Sequence, residues 1–220
     1  MSQDRSTPSS SGTASPWVPA VARARQREAK RQAVLQTAAQ LFNERGFHAT
    51  SLDDIAERLH VSKPTLYYYV KSKDDILLEC VRSALVMMHE GIEAVRQDGG
   101  RALDQLIACM RIYAGIVTED FGKCLILIGE DPLPPPQKKE LRQLKAGIDS
   151  HFRRLIAAGI EEGSIAACDP KLAGFVLGGA LSWIGRWYRA DGELTPEQVT
   201  DNTIALLLRG ILSTPHPQGG

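Results

Sequence analysis

The sequence predicts an all-α fold, and three observations predict it. Apolar residues recur at three- and four-residue steps along most of the chain. Side chains able to cap a helix (Ser51, Ser62, Ser72, Asp169, Thr195) stand just ahead of those stretches. The only β-like runs, 124–128 and the tyrosine triplet 67–69, are short and lie among helical signals. There is no internal repeat.

The elements follow in order. Residues 1–20, rich in Ser, Pro and Thr, hold too few apolar groups to offset ordering entropy and read as a disordered tail. A first helix is predicted over 23–46, with Val34, Leu35, Ala38, Ala39 and Phe42 on one face. Its first turns crowd Arg23, Arg25, Arg27, Lys30 and Arg31 against the single acid Glu28. That cluster is either a solvated helix face or a phosphate-tracking arm. Gly46 is placed to stop the helix, with Phe47 touching Phe42. Ser51 and Asp54 form a capping box for a short helix whose inner face is Leu52, Ile55, Ala56 and Leu59. Ser62 caps a third helix over 63–70. Ser72 caps a long fourth, with Asp74 and Asp75 in its first turn and a stripe from Leu77 to Val95 ending at Gly99-Gly100. Further helices are predicted over 102–117, 121–128, 137–163 and 171–190, with Pro170 at N1 of the last. Thr195-Pro196-Glu197-Gln198 opens a final helix carrying Val199, Ile204, Leu207 and Leu208, and 214–220 reads as a flexible tail.

Composition narrows the functional classes. The 220 residues carry 26 Lys+Arg against 26 Asp+Glu, so only a local basic patch, not a polybasic coat, is open to the chain. No run approaches the roughly 18 apolar residues of a membrane span. Residues 1–20 hold no apolar leader, and Cys80, Cys109, Cys124 and Cys168 lie far apart with no metal-ligand spacing. A reduced, cytoplasmic protein with no membrane partner is the expectation. No GxSxG, P-loop, dinucleotide turn or HExxH is present, and the five histidines are dispersed. Neither an enzyme nor a bound cofactor is expected.

The segment 51–70 is a helix-turn-helix pattern. Leu52, Ile55, Ala56, Leu59, Val61 and Leu66 provide an aliphatic seam beneath the third helix, which is then free to enter a major groove about 12 Å wide. Its outward residues would be Lys63, Thr65, Tyr67, Tyr68 and Tyr69. Lys63 suits guanine O6/N7 or a phosphate, Thr65 a base or phosphate, and the phenols suit phosphates. Lys71 and Lys73 add charge at the start of helix four. The stretch AAQLFNERGFHATSLDDIAERLHVSKPTLYYYVKSKDDIL, residues 38–77, resembles the tetracycline-repressor (TetR) family of transcriptional regulators. The resemblance implies base or groove contacts from Lys63, Pro64, Thr65, Tyr67 and Tyr68, with Ser62 at their cap on the same surface. It implies phosphate contacts from Thr50 or Ser51, Tyr69 and Lys73. Tyr69 and Val70 stand where the family usually has His and Phe, and His60 where many members have Gly, a position expected to hold φ > 0.

The same resemblance implies a helix-turn-helix domain over 21–71 joined by the long helix to an effector-binding and dimerisation domain over 72–213. Met88, Met110, Tyr113, Phe121, Phe152 and Trp183 are then candidate pocket residues, against ordinary core packing of each. Phe175, Gly179, Trp187, Leu207 and Leu208 are candidate dimer contacts, on helices whose small residues otherwise only accommodate a neighbour in the same chain. The implied function is a ligand-responsive regulator, a repressor. It binds a palindromic double-stranded operator as a homodimer, its readers ~34–36 Å apart or somewhat more, and is released by a small, largely apolar effector. The alternative is a helical small-molecule-binding protein whose reader serves an activator or adaptor. The segment WYRADGELTPEQV, residues 187–199, resembles C-terminal segments of regulators that sense lipid-like or acyl-thioester molecules.

Overall fold

A computed structural model describes residues 20–211. The expected tails, at 1–20 and 214–220, lie outside the described residues, save Ala20 in the first helix. Nine helices and no strand occur among the described residues. They are α1 (Ala20–Arg45), α2 (Leu52–Arg58), α3 (Lys63–Tyr67), α4 (Lys73–Asp98), α5 (Ala102–Thr118), α6 (Asp120–Leu127), α7 (Pro135–Glu161), α8 (Pro170–Trp187) and α9 (Pro196–Ile211). The β-like run 124–128 is therefore helical through Leu127, with Ile128 as the C-cap. Cys124 and Leu125 are buried and Ile126 partly so, in a helix that packs on α1, α4 and α5.

Helix starts obey local capping. Ser51 accepts from the Asp54 amide, and Asp54 reciprocates to the Ser51 amide. Ser62 accepts from Thr65 N, Ser72 from Asp75 N, and Asp169 from Lys171 N and Leu172 N. Thr195 Oγ1 accepts from Gln198 N while Gln198 Oε1 accepts from Thr195 N. Several expected bounds shift, α1 among them, which begins at Ala20 rather than 23. α3 ends at Tyr67 rather than 70, because Tyr69 N and Val70 N both turn back to Leu66 O and tighten the last turn. α7 begins at Pro135, whose missing N–H costs nothing in a first turn. α8 ends at Trp187 rather than 190, because Tyr188 turns extended (φ −62°, ψ 131°) and buries its ring beneath Lys123.

α4 is the axis of the molecule. It packs against α1 at one end and against α5, α6 and α7 along its length, and α8 closes over α5, α6 and α7 with α9 against α5. The buried residues form one continuous cluster from Val34 to Ile204, so no apolar break separates the α1–α3 unit from the remainder. Val61, expected in the seam under α3, is instead 37% exposed; Leu66 and Ile55 fill the seam without it.

Candidate nucleic-acid interface and effector cavity

The α2–α3 unit is built by its turn. His60 sits at φ 54°, the only positive φ outside glycine among the described residues. Its amide bonds Glu57 O and the next amide, Val61 N, reaches Ala56 O at 3.0 Å. The chain thereby reverses within three residues and presents Ser62 as a cap. Pro64 lies in the first turn of α3, and Ser62 Oγ and Thr65 Oγ1 are 2.8 Å apart. Of the five α3 residues only Leu66 is buried, at 0% exposure. Lys63, Pro64 and Thr65 are exposed, Tyr67 is 49% and Tyr68 61% exposed, and Tyr69 is half-buried with its ring edge-on to Tyr68. Lys63 Nζ pairs with Asp53 at 2.9 Å, and that hydrogen bond raises its pKa. Both groups are exposed, so the pair is weak and exchangeable for a phosphate or base.

Two expected phosphate contacts are corrected. Thr50 is 1% exposed and its hydroxyl lies 2.9 Å from Gly46 O and 3.3 Å from Leu41 O; it ties the end of α1 to the turn and is not available to a ligand. Lys73 points inward. Its Nζ donates to Phe47 O and Thr50 O, each at 2.8 Å, and lies 4.4 Å from the Phe47 ring centroid. It is a clamp between α4 and the α1–α2 turn. Ser51 is exposed, but its hydroxyl and amide are bound up with Asp54, whose carboxyl those bonds hold below its usual range.

A cavity of about 460 Å³ lies among α4–α8. Leu85 and Met88 of α4, Leu125 and Ile126 of α6, and Ile148 and Phe152 of α7 form its apolar walls. Its hydroxyl pair is Tyr113 and Ser182, 2.7 Å apart, and burial pushes the Tyr113 phenol up so that it stays neutral. Lys145 and Asp149 also line it, each engaged by an ion pair, with Glu130 and Arg153 respectively. Exposed Ala146, Phe175 and Gly179 among the walls place the opening between α7 and α8. Of the six expected pocket residues, Met88, Tyr113 and Phe152 meet here. Met110 is fully buried in the core away from it, Phe121 packs half-buried against the core, and Trp183 is 61% exposed one residue beyond Ser182, around the helix from it. The sequence reading missed Ser182 and the α6 wall; a hydroxyl on an otherwise Gly- and Leu-rich helix was the available signal for the first.

The outer face of α8 is an apolar stripe. Leu172, Phe175, Val176, Trp183 and Trp187 are 47–64% exposed, at spacings that keep them on one side of the helix with Gly179. On α9 Leu206 is 67% exposed; the expected dimer contacts Leu207 and Leu208 are half-buried against the chain's own core. Gly185 serves an intrachain approach, since a Cβ there would stand 3.0 Å from Val117 O, whereas Gly178 and Gly179 face open space.

α6 joins the cavity to α1. Opposite Leu125 and Ile126 it presents Asp120, whose carboxylate accepts from Gln36 Nε2 at 2.6 Å and Gln40 Nε2 at 3.1 Å, while Asn43 Nδ2 donates to Asp120 O at 2.9 Å. Three amides of α1 thus hold the first residue of α6.

Comparison with known proteins agrees with this layout. Residues 34–80 match the family model for bacterial regulatory proteins of the tetR family, and residues 99–211 the tetracyclin repressor-like C-terminal domain. The transcriptional repressor KstR2 of Rhodococcus jostii (strain RHA1) is 29% identical over 196 residues, which is 85% of this chain and 93% of that one. The regulator RutR of Escherichia coli (strain K12) is 30% identical over 190 residues, 83% of this chain and 84% of that one. Among solved structures, AibR in complex with isovaleryl coenzyme A and operator DNA superposes with a TM-score of 0.72 at 26% identity, covering 81% of this chain and 98% of that one. No helix among the described residues is long and apolar enough to cross a membrane.

Proposed function

The chain belongs to the TetR family of helix-turn-helix transcriptional regulators, and from that premise we propose that α3 reads an operator while the α4–α8 cavity holds the effector that releases it. The protein is a ligand-responsive repressor rather than an enzyme. The observation that carries the reader assignment is the one-sidedness of α3: Leu66 alone anchors it, and Lys63, Pro64, Thr65, Tyr67 and Tyr68 stand clear. A rod held by one aliphatic residue, with polar and phenolic groups outward, suits a major groove. Thr65 and Lys63 are assigned to base edges, Tyr67 and Tyr68 to the groove wall, and Ser51 and Tyr69 to its margin.

The cavity suits an effector with an apolar body and one polar end directed at the Tyr113–Ser182 hydroxyls. AibR binds isovaleryl coenzyme A, and a branched acyl group is of this kind. The α8 stripe with Leu206 is assigned to the partner subunit of a homodimer, which gives two readers related by a two-fold axis and hence a palindromic operator. Effector between α6 and α8 displaces α6, and the Gln36, Gln40 and Asn43 side-chain amides bonded to Asp120 carry the shift to α1. The ligand can move the equilibrium only by its affinity difference between the two states.

The test is to capture genomic fragments with the purified protein and titrate one by fluorescence anisotropy. Thr65→Ala and Tyr67→Ala should each weaken specific binding by roughly 10-fold or more with an unchanged melting temperature. Acyl-coenzyme A thioesters are then screened for release. Undiminished binding by both variants overturns the reader assignment.

A further inference from the structure

Upstream of the core, α1 continues for more than two turns over which every residue of 21–30 is exposed. This stretch carries Arg23, Arg25, Arg27 and Lys30, none in an ion pair among the described residues. Its one acid, Glu28, is engaged by Gln32 and Arg31, and Arg31 also reaches Glu79 at 3.2 Å. The spacing of the free cations is informative. Arg23, Arg27 and Lys30 stand at i, i+4 and i+7, and the same row continues to Val34, Ala38 and Leu41, each at most 4% exposed. The helix face that is pressed onto the core further along therefore turns basic and exposed at Lys30.

A second observation fixes what lies beside that face. The Arg27 guanidinium sits 4.9 Å over the ring of Tyr68, the C-cap residue of α3. The basic row thus borders α3. Duplex DNA carries one negative charge per roughly 1.7 Å of its axis, and the row from Arg23 to Lys30 spans about 10 Å along the helix, so several phosphates fall within reach.

We propose that the first turns of α1 are a second DNA-contacting element, with Arg23, Arg27 and Lys30 neutralising backbone phosphates that flank the groove read by α3. The element adds affinity and lengthens the protected site without adding sequence preference, since phosphates carry no base identity. It rests on the DNA-binding reading of α3. Arg25 lies about 200° around the helix from Arg23 and serves as an internal control.

The experiment uses the full chain and a duplex captured from sheared genomic DNA, titrated at several salt concentrations. In Arg23→Gln/Arg27→Gln/Lys30→Gln the slope of log affinity against log salt should flatten by about 2 to 3, at roughly 0.9 per lost phosphate contact. Arg23→Gln/Lys30→Gln, which keeps the Arg27–Tyr68 contact, should flatten it by about 2, and Arg25→Gln should leave it unchanged. All substitutions are exposed and glutamine is a good helix former, so folding is retained and is verified by melting. A parental slope in both multiple variants overturns the arm and leaves the α3 reading standing. A loss in Arg25→Gln equal to one contact overturns the face assignment. If the parent captures no duplex, the reading beneath both fails.

Discussion

Replacing Lys73 with methionine removes the ammonium that donates to Phe47 O and Thr50 O at 2.8 Å each and keeps most of the apolar stem. A hydrogen bond from a charged group contributes about 1.5–3 kcal/mol. Lys73 is half-buried, so water recovers part of each bond and the low end applies. The loss of two bonds, at about 1.5 kcal/mol each, and of the contact with the Phe47 ring then destabilises by about 3–4 kcal/mol. For a chain of this size that lowers the melting temperature by about 6–16 °C. The salt slope of operator binding should not move, because an ammonium turned toward two carbonyls releases no counterion from DNA. Melting by circular dichroism and anisotropy titration between about 50 and 200 mM salt read the two quantities separately. An unchanged melting temperature with a slope flattened by about 1 would refute the clamp and return Lys73 to the phosphate surface.

Four further outcomes are expected. Gly122→Ala should destabilise by about 3 kcal/mol, since its Cβ would stand 1.9 Å from Ile116 O and backbone must move, whereas Gly115, which meets open space, should accept alanine with a small gain; a parental melting curve for Gly122→Ala would disprove the close approach of α5 and α6. His60→Gly should be neutral or mildly stabilising, because about 1 kcal/mol of left-handed strain at φ 54° is set against the extra freedom of glycine in the unfolded chain; clear thermal loss counts against it. Asp120→Ala frees Gln36, Gln40 and the start of α6, so backbone amides of α1 should exchange faster by hydrogen exchange with cavity-helix protection kept; unaltered α1 protection removes α6 from the coupling route. His151 is 7% exposed with Nε2 unbonded among the described residues. Burial first, then Arg154 and Arg96, with His89 adding and Glu93 opposing, hold its pKa below 6.5. The unfolded chain therefore takes the proton first, so stability is full above about pH 6.5 and declines as pH falls toward the folded pKa. His151→Phe should flatten that decline in pH-dependent melts; superimposable acid limbs would contradict it.

What was legible in the sequence is what is settled within a few residues. Ser51 with Asp54, Ser62 with Thr65 and Thr195 with Gln198 each satisfy one another across three positions, so helix starts can be read without knowing any neighbour. Gly46 at φ 88° and His60 at φ 54° are likewise local stops. The outward face of α3 followed because a short helix with one aliphatic residue can bury only that residue. Thr50 and Ser51 mark where such reasoning ends. Two adjacent hydroxyls are equivalent by composition, yet one is tucked against Leu41 O and Gly46 O and the other caps α2, and the difference is the angle at which the chain leaves α1.

Lys73 carries the same lesson in reverse. Flanked by Ser72, Asp74 and Asp75 it resembles a solvated first turn, and its two carbonyl acceptors lie 23 and 26 residues away. The cavity was less legible still, because periodicity tells which side chains point inward and not whether they meet a neighbour or a void. Met88 and Met110 have the same residue type and the same inward orientation, but only Met88 faces the gap among the diverging α4–α8 helices. The glycines of α8 divide similarly: Gly185 admits the Val117 carbonyl and Gly179 opens onto the exposed stripe. A small residue signals that something comes close, and the backbone that does so is set by helix crossings far away in sequence. On α8 it is the exposed Leu172, Val176, Trp183 and Trp187, rather than the glycines, whose removal from water would favour association.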